Sequence, residues 1–481
     1  MPPARIDRLS ALDATFLALD APTAPLHVGW TMRFEGPAPP LAQLRRHLDA
    51  RLAHVPRFRR RVVVPPLGLG DPRWADDPSF DVANHVHQLT VERPGGAGEL
   101  RTLAGRLLST PLDAARPLWR LYLVDGLARD EFALIGQAHH ALVDGIAALE
   151  VAMLLFAPEH ESAKDGKRWR PEPPPGALTG AGDAAISRSR ATIGAARSLA
   201  RSARLPSPAR LQAAGTTLRE VGQAIESLAR PTATTSLERT ATHRRSVAFA
   251  SVSLEGARSA GKRNHATIND VLLAACTMAL GRALRRRGEE HDEIKVLVPV
   301  STRAAGTASE LGNKISFMAV ELPVADVDAV TVLRTVRNRT RAAKQASAHG
   351  PLDVLTRVAD VLPPASARLL ATSAWKTASF NAIVSNPGGL PVELSLLGRP
   401  LKALYPAVPV SEGQSLTIGA LSYLDRLHVG LYADAEVVYD VVEIARDLEN
   451  AFDVLQLEAT HAPTPWRERA TEKRARLRAV R

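Results

Sequence analysis

The chain has 481 residues, 45% hydrophobic, 4% aromatic and 23% charged, enough for two or three domains or for two large lobes sharing one cleft. Its formal charge of +11 calls for a partner of opposite sign, and nucleic acid is set aside because aromatics are scarce and no RNA-binding or zinc-finger spacing occurs. One cysteine excludes an internal disulfide framework and a cysteine-rich metal site, and the 14 histidines show no H-E-x-x-H spacing, so no metal is expected.

The opening MPPARIDRLSALDATF has no apolar signal core. Leu12, Phe16 and Leu19 share one helical face, and Pro22 and Pro25 end that helix. Val28 to Phe34 has the pattern of a strand, and a helix follows from Pro40 to about Leu52 with Leu41, Leu44 and Leu48 on one side. The stretch PRWADDPSFDVANHVHQL forms loop and strand edge, with His85 and His87 as structural residues. Pro117-Leu118-Trp119 opens a strand through Leu123-Val124, and Gly126 to Asp130 supply a hairpin turn.

The segment that carries chemistry is Glu131 to Phe156, EFALIGQAHHALVDGIAALEVAMLLF. Phe132 to Gln137 is a short apolar run bounded by Asp130 and Glu131, as in a buried strand, and Ile146, Leu149 and Met153 follow at helical spacing. His139, His140 and Asp144 therefore fall on the turn between strand and helix. Neighbouring side chains at a strand end point to opposite faces, so one histidine can face a cavity while the other enters packing. A neutral imidazole, with an ordinary pKa of about 6.5, can take a hydroxyl proton and return it. Asp144 can orient an imidazole, fix the loop, or simply cap the helix.

Proline and glycine between Pro158 and Gly182 mark a linker. Ala184 to Leu228 is Ala/Arg/Ser-rich and helical in pattern, interrupted near Pro206 and Pro208, and Asp183 to Arg230 holds eight arginines against three acidic residues. Arg190, Arg197 and Arg204 share a face with Ile186 and Ile193, so the segment splits poorly into polar and apolar sides and suits a solvated crossover as well as a lipid contact. A second lobe starts near Arg244 with a strand from Ser246 to Leu254. The following helix can be capped by Thr267, Asn269 or Asp270 and buries Val271, Ala274, Ala275 and Met278, with Cys276 as a packing residue. Strands follow at Glu293 to Val300 and Ile315 to Leu322, then a strand into a Gly/Pro turn at Phe380 to Pro391. Leu416 to Tyr423 and Leu427 to Tyr432 make a hairpin, and a helix runs from Val441 to about Leu457. The tail from Arg467 carries seven basic and two acidic residues behind Trp466 and is expected to be disordered.

The spacing His-His-x-x-x-Asp-Gly at a strand end resembles the signature of the superfamily that includes chloramphenicol acetyltransferase and peptide condensation domains. Further pieces resemble the bacterial wax ester synthase/diacylglycerol acyltransferase family: the Leu-Ser-x-x-Asp opening, the Pro-x-His-x-Gly step, Pro117-Leu118-Trp119, Asn269-Asp270, Ser301-Thr302-Arg303, Leu311-Gly312-Asn313 and Ser385-Asn386. The resemblance spans nearly the whole chain outside linker and tail. It departs after Asn386, where Pro387-Gly388-Gly389-Leu390-Pro391 replaces a Val-Pro-Gly-Pro step.

The resemblance implies an α/β fold of two chloramphenicol acetyltransferase-like lobes with mixed sheets, a central active-site tunnel and a helical linker. The lobes would be 1–157 and 244–460, the linker 158–243 and the basic tail 461–481. It implies that His140 is a general base, Asp144 mainly architectural and His139 supporting, with Gly145, Asn269, Ser385 and Asn386 at the substrate. Acyl-CoA would be co-substrate, with no bound cofactor, and diacylglycerol or a long-chain alcohol the acceptor. A cytoplasmic enzyme in peripheral contact with anionic membrane or lipid droplets is expected. The competing readings are a condensation-type or polyketide-ester acyltransferase using a carrier-bound donor, and a non-catalytic lipid-binding protein on the same scaffold.

Overall fold

The computed structural model describes residues 7–64, 72–156, 169–171, 230–239, 242–301, 315–347, 364–390 and 392–458. Nearly all of the expected linker, the Thr302-Arg303 and Leu311 to Lys314 motif residues and the basic tail lie outside the described residues.

A short strand, β1 (Asp7–Arg8), leads to α1 (Ala11–Leu19), which begins where Ser10 Oγ accepts a hydrogen bond from the Asp13 amide at 3.0 Å. β2 (His27–Glu35) follows, then α2 (Leu41–Leu52), whose buried side is Leu44, Leu48 and Leu52. β3 (Arg60–Val63) and β4 (Arg73–Asp76) complete a small three-stranded sheet with β1. β5 (Val86–Thr90), α3 (Ala97–Leu108), β6 (Trp119–Leu127), β7 (Glu131–His139) and α4 (Gly145–Phe156) finish the first half. His85 lies just before β5 with Nδ1 2.9 Å from the Trp119 carbonyl oxygen and its ring stacked on Trp119.

The second half begins with β8 (Arg245–Ser253), α5 (Leu254–Arg263) and α6 (Ile268–Arg286). Of the three candidate caps, Thr267 holds the position: its Oγ1 accepts from the Asp270 amide at 3.2 Å while Asp270 Oδ2 accepts from the Thr267 amide at 2.7 Å. The buried face read from sequence is too narrow. Leu272, Leu273, Cys276 and Leu280 are also fully buried and Met278 only partly so, because α5 and two later helices enclose α6. β9 (Glu293–Ser301), β10 (Ile315–Pro323), α7 (Ala329–Ser347), α8 (Pro364–Thr377), β11 (Ala382–Ser385), β12 (Gly389–Leu390), β13 (Ser395–Leu396), β14 (Arg399–Ala407), β15 (Leu416–Tyr423), β16 (Arg426–Asp434) and α9 (Val441–Glu458) follow. No single helix among the described residues is long and apolar enough to cross a membrane.

Two mixed sheets carry the two halves. The first has strand order β13-β14-β2-β7-β6-β5, antiparallel except for β5 on β6. The second runs β10-β9-β11-β15-β16-β8, with β11 parallel to both its neighbours and β12 on β15. The range 244–460 is therefore not self-contained. β14 leaves it and pairs with β2, from Leu401 opposite Phe34 to Ala407 opposite Gly29. Without β14, β2 would present an unpaired edge beside the buried Met32 and Phe34. The crossing strand runs close to the second sheet, and Gly430 allows it: a Cβ there would collide with the Pro406 carbonyl.

Candidate active site

β7 delivers the two histidines at the seam between the halves. Its last residue, His139, pairs across the ladder with His27 of β2 and is 1% exposed. His140 follows the strand, and its amide donates to the Leu26 carbonyl at 2.8 Å. Its ring is half-buried against Phe16 of α1, with centroids 4.2 Å apart. The alternation expected at a strand end holds: His140 lines a cavity and His139 turns into packing, where its Nδ1 accepts from the Ala141 amide at 3.0 Å.

The cavity at His140 is built from both halves. Phe16, Leu26 and Ile146 come from the first, and Pro299, Phe317, Trp375, Ser385, Asn386 and Ser411 from the second. Ser385 ends β11 and Asn386 begins the turn after it, and both line this cavity. Gly145 opens α4 and lines the same space. A Cβ there would sit 3.2 Å from Pro387 Cβ, so a side chain would press on that loop at the mouth of α4. Asn269 is not brought to this place: it stands on the first turn of α6 and lines neither cavity among the described residues. Asp144 is 1% exposed and caps α4, its Oδ1 accepting from the Ala147 amide at 2.8 Å. Phe16, Trp375 and Ser411 carry no local signal in the sequence, since each joins the cavity of His140 only through long-range packing.

A second, almost wholly apolar cavity adjoins the first. It lies between α4 (Ala148, Val151, Ala152, Leu155), α2 (Leu48, Leu52) and the rings of Trp30, Phe58 and Trp119. Val28, Gly145, Ser385, Pro387 and Val408 line both spaces, so the two meet beside His140. The apolar one holds about 1070 Å³ of empty space and the His140 one about 920 Å³, each partly open to solvent.

One group of possible metal ligands occurs among the described residues, Asp20, His27 and His139, whose ligand atoms lie within 4.8 Å of one another. Its chemistry does not fit a cation. Because His139 Nδ1 accepts the Ala141 N–H, the ring proton is on Nε2, the atom that would have to bind the metal. The sole cysteine, Cys276, is fully buried in α6, and burial pushes its thiol up to about 12.

The family model for the wax ester synthase/diacylglycerol acyltransferase catalytic domain matches residues 9–272, and that for the WS/DGAT C-terminal domain matches 311–456. The sequence is 30% identical over 458 residues to a probable diacylglycerol O-acyltransferase of Mycobacterium tuberculosis, covering 93% of this chain and 95% of that one. It is 28% identical over 466 residues to O-acyltransferase WSD of Acinetobacter baylyi, covering 93% and 96%. The solved wax ester synthase/diacylglycerol acyltransferase from Marinobacter aquaeolei VT8 superposes with a TM-score of 0.66 at 23% identity, over 94% of this chain and 100% of that one. The first condensation domain of the calcium-dependent antibiotic synthetase gives 0.60 at 16% identity, over 96% and 98%. At these identities the structural likenesses speak for the fold, two lobes with mixed sheets.

Proposed function

The chain belongs to the wax ester synthase/diacylglycerol acyltransferase family, and on that premise we propose that it moves a fatty acyl group from acyl-CoA to the hydroxyl of diacylglycerol or of a long-chain alcohol. The observation that carries this reading is the meeting of two spaces beside one imidazole: an apolar cavity for an acyl chain, and a mixed cavity in which His140 can reach a hydroxyl. The diacylglycerol O-acyltransferase and WSD names of the relatives support the same acceptor classes.

In this mechanism His140 takes the proton of the acceptor hydroxyl as its oxygen attacks the thioester carbonyl. The tetrahedral oxyanion needs donors already aimed at it, each worth about 3 kcal/mol. Ser385 Oγ, Asn386 and nearby backbone amides are the candidates at the cavity; Asn269, away from its lining, is a weaker one. The C–S bond then breaks and His140 returns the proton to the leaving thiolate, giving ester and free coenzyme A. No acyl-enzyme is needed, and the buried, neutral Cys276 is unsuited to form one. Asp144 keeps α4, and with it the His140 turn, in place.

Apolar acceptors reside in membranes or lipid droplets, and the basic tail suits anionic lipid, so the enzyme works in peripheral contact with such surfaces. The test is to supply one labelled acyl-CoA with a panel of diacylglycerols and alcohols and to identify the lipid products. Labelled ester with either acceptor class supports the reading. Transfer only from a carrier-bound acyl group, or binding without turnover, would contradict it.

A further inference from the structure

The residues between α1 and β2 form a bracket around the histidine pair. Asp20 ends α1, and its Oδ1 accepts from the Leu26 amide at 2.8 Å. The Leu26 carbonyl accepts from the His140 amide at 2.8 Å. The other carboxylate oxygen, Oδ2, faces His139 Nε2 at 3.7 Å, longer than a formed hydrogen bond. That nitrogen is buried and has no hydrogen-bond partner, and the Ala141 amide at Nδ1 fixes the proton on it. His27 stands edge-on to His139, with centroids 5.6 Å apart. Phe16, on the same α1, packs against the His140 ring.

We propose that Asp20 is a positioning residue for His140, holding the His139-His140 strand end by accepting from Leu26 N–H with one carboxylate oxygen while the other faces His139 Nε2–H. The inference rests on His140 acting as the base. Only a carboxylate offers an acceptor to both groups. An asparagine can serve Leu26 through its oxygen, but it then turns an NH₂ toward the Nε2 proton. Although burial works against it, the facing His139 and the Leu26 amide hold the Asp20 carboxyl below its ordinary range. Asp20 itself lines neither cavity among the described residues, so it acts through Leu26 and the geometry of the pair.

The test is a double-mutant cycle on the full chain, with Asp20→Asn, Asp20→Ala and His140→Ala singly and with each Asp20 change in the His140→Ala background. Melting curves and metal content are measured for each protein. Asp20→Asn keeps the Leu26 bond, so it is expected to fold as wild type yet lose about 10- to 100-fold in kcat, with KM for acyl-CoA unchanged. In the His140→Ala background neither Asp20 change should lower the remaining turnover further. Unchanged kcat in Asp20→Asn overturns the proposal, and so does a loss that persists undiminished without His140. A stoichiometric divalent ion in the wild type that Asp20→Asn no longer holds would overturn it in favour of a metal site. Full turnover in His140→Ala alone would instead remove the base reading, and this proposal with it.

Discussion

If the apolar cavity holds the acyl chain, a phenyl ring placed in it should shorten the chain the enzyme accepts. Ala152 lies on the α4 face that lines the cavity, one turn after Ala148 and seven residues after Gly145, where the two cavities meet. Seven residues of helix rise about 10 Å. At roughly 1.3 Å of advance per C–C bond, about eight carbons cover that distance. Ala152→Phe should therefore spare acyl groups up to about that length and obstruct longer ones. A ring that displaces three or four methylenes at ~0.8 kcal/mol each removes about 3 kcal/mol of chain burial. That corresponds to ~100-fold in kcat/KM. The assay is kcat/KM for a series of saturated acyl-CoA donors with one fixed alcohol, in wild type and variant, with melting curves as the control on folding. Equal losses for short and long donors, or no loss for long ones in a well-folded variant, would refute the assignment of this cavity to the chain.

Asp144→Ala removes the α4 cap and leaves the buried Ala147 amide unpaired, at a cost of about 1–3 kcal/mol. Asp144→Asn can still cap and should recover most of the melting temperature; identical melting curves for the three proteins would contradict the capping role. Cys276, buried and neutral, should resist alkylation in the folded enzyme, and iodoacetamide at pH 8 should leave turnover unchanged. A chain ending at Pro463 should bind anionic vesicles less well than the full chain at low salt while turning over a short soluble alcohol at the same rate. At 1 M salt, where the Debye length is about 3 Å, the two should sediment alike.

What the sequence disclosed was what a short window contains. β7 showed itself as an apolar run between charged ends, α4 as helical spacing after Asp144-Gly145, and the β15–β16 hairpin as two runs across Leu424 to Arg426. The opposite directions of His139 and His140 followed from the pleat alone. α5 went unread because the apolar alternation of β8 runs straight into Leu254; the break is made by Ser253, whose Oγ accepts from the Gly256 amide at 3.0 Å. β14 was equally hidden. Its segment holds Pro400 and Pro406, and its partner β2 lies more than 360 residues earlier, beyond any periodicity. The same limit applies to the site. Phe16, Trp375, Ser411 and Asp20 matter through neighbours distant in the chain. Asn269, by contrast, has only its local Asn-Asp setting to point to a site, and the fold keeps it on the first turn of α6 beside the Thr267 cap.

The central claim is that His140 is the base of an acyl transfer, and the most direct measurement is turnover of labelled acyl-CoA with a long-chain alcohol by His140→Ala. The variant should fold as wild type and lose roughly 10²- to 10⁴-fold in kcat. A well-folded His140→Ala protein that makes ester at near-normal rate would contradict the account.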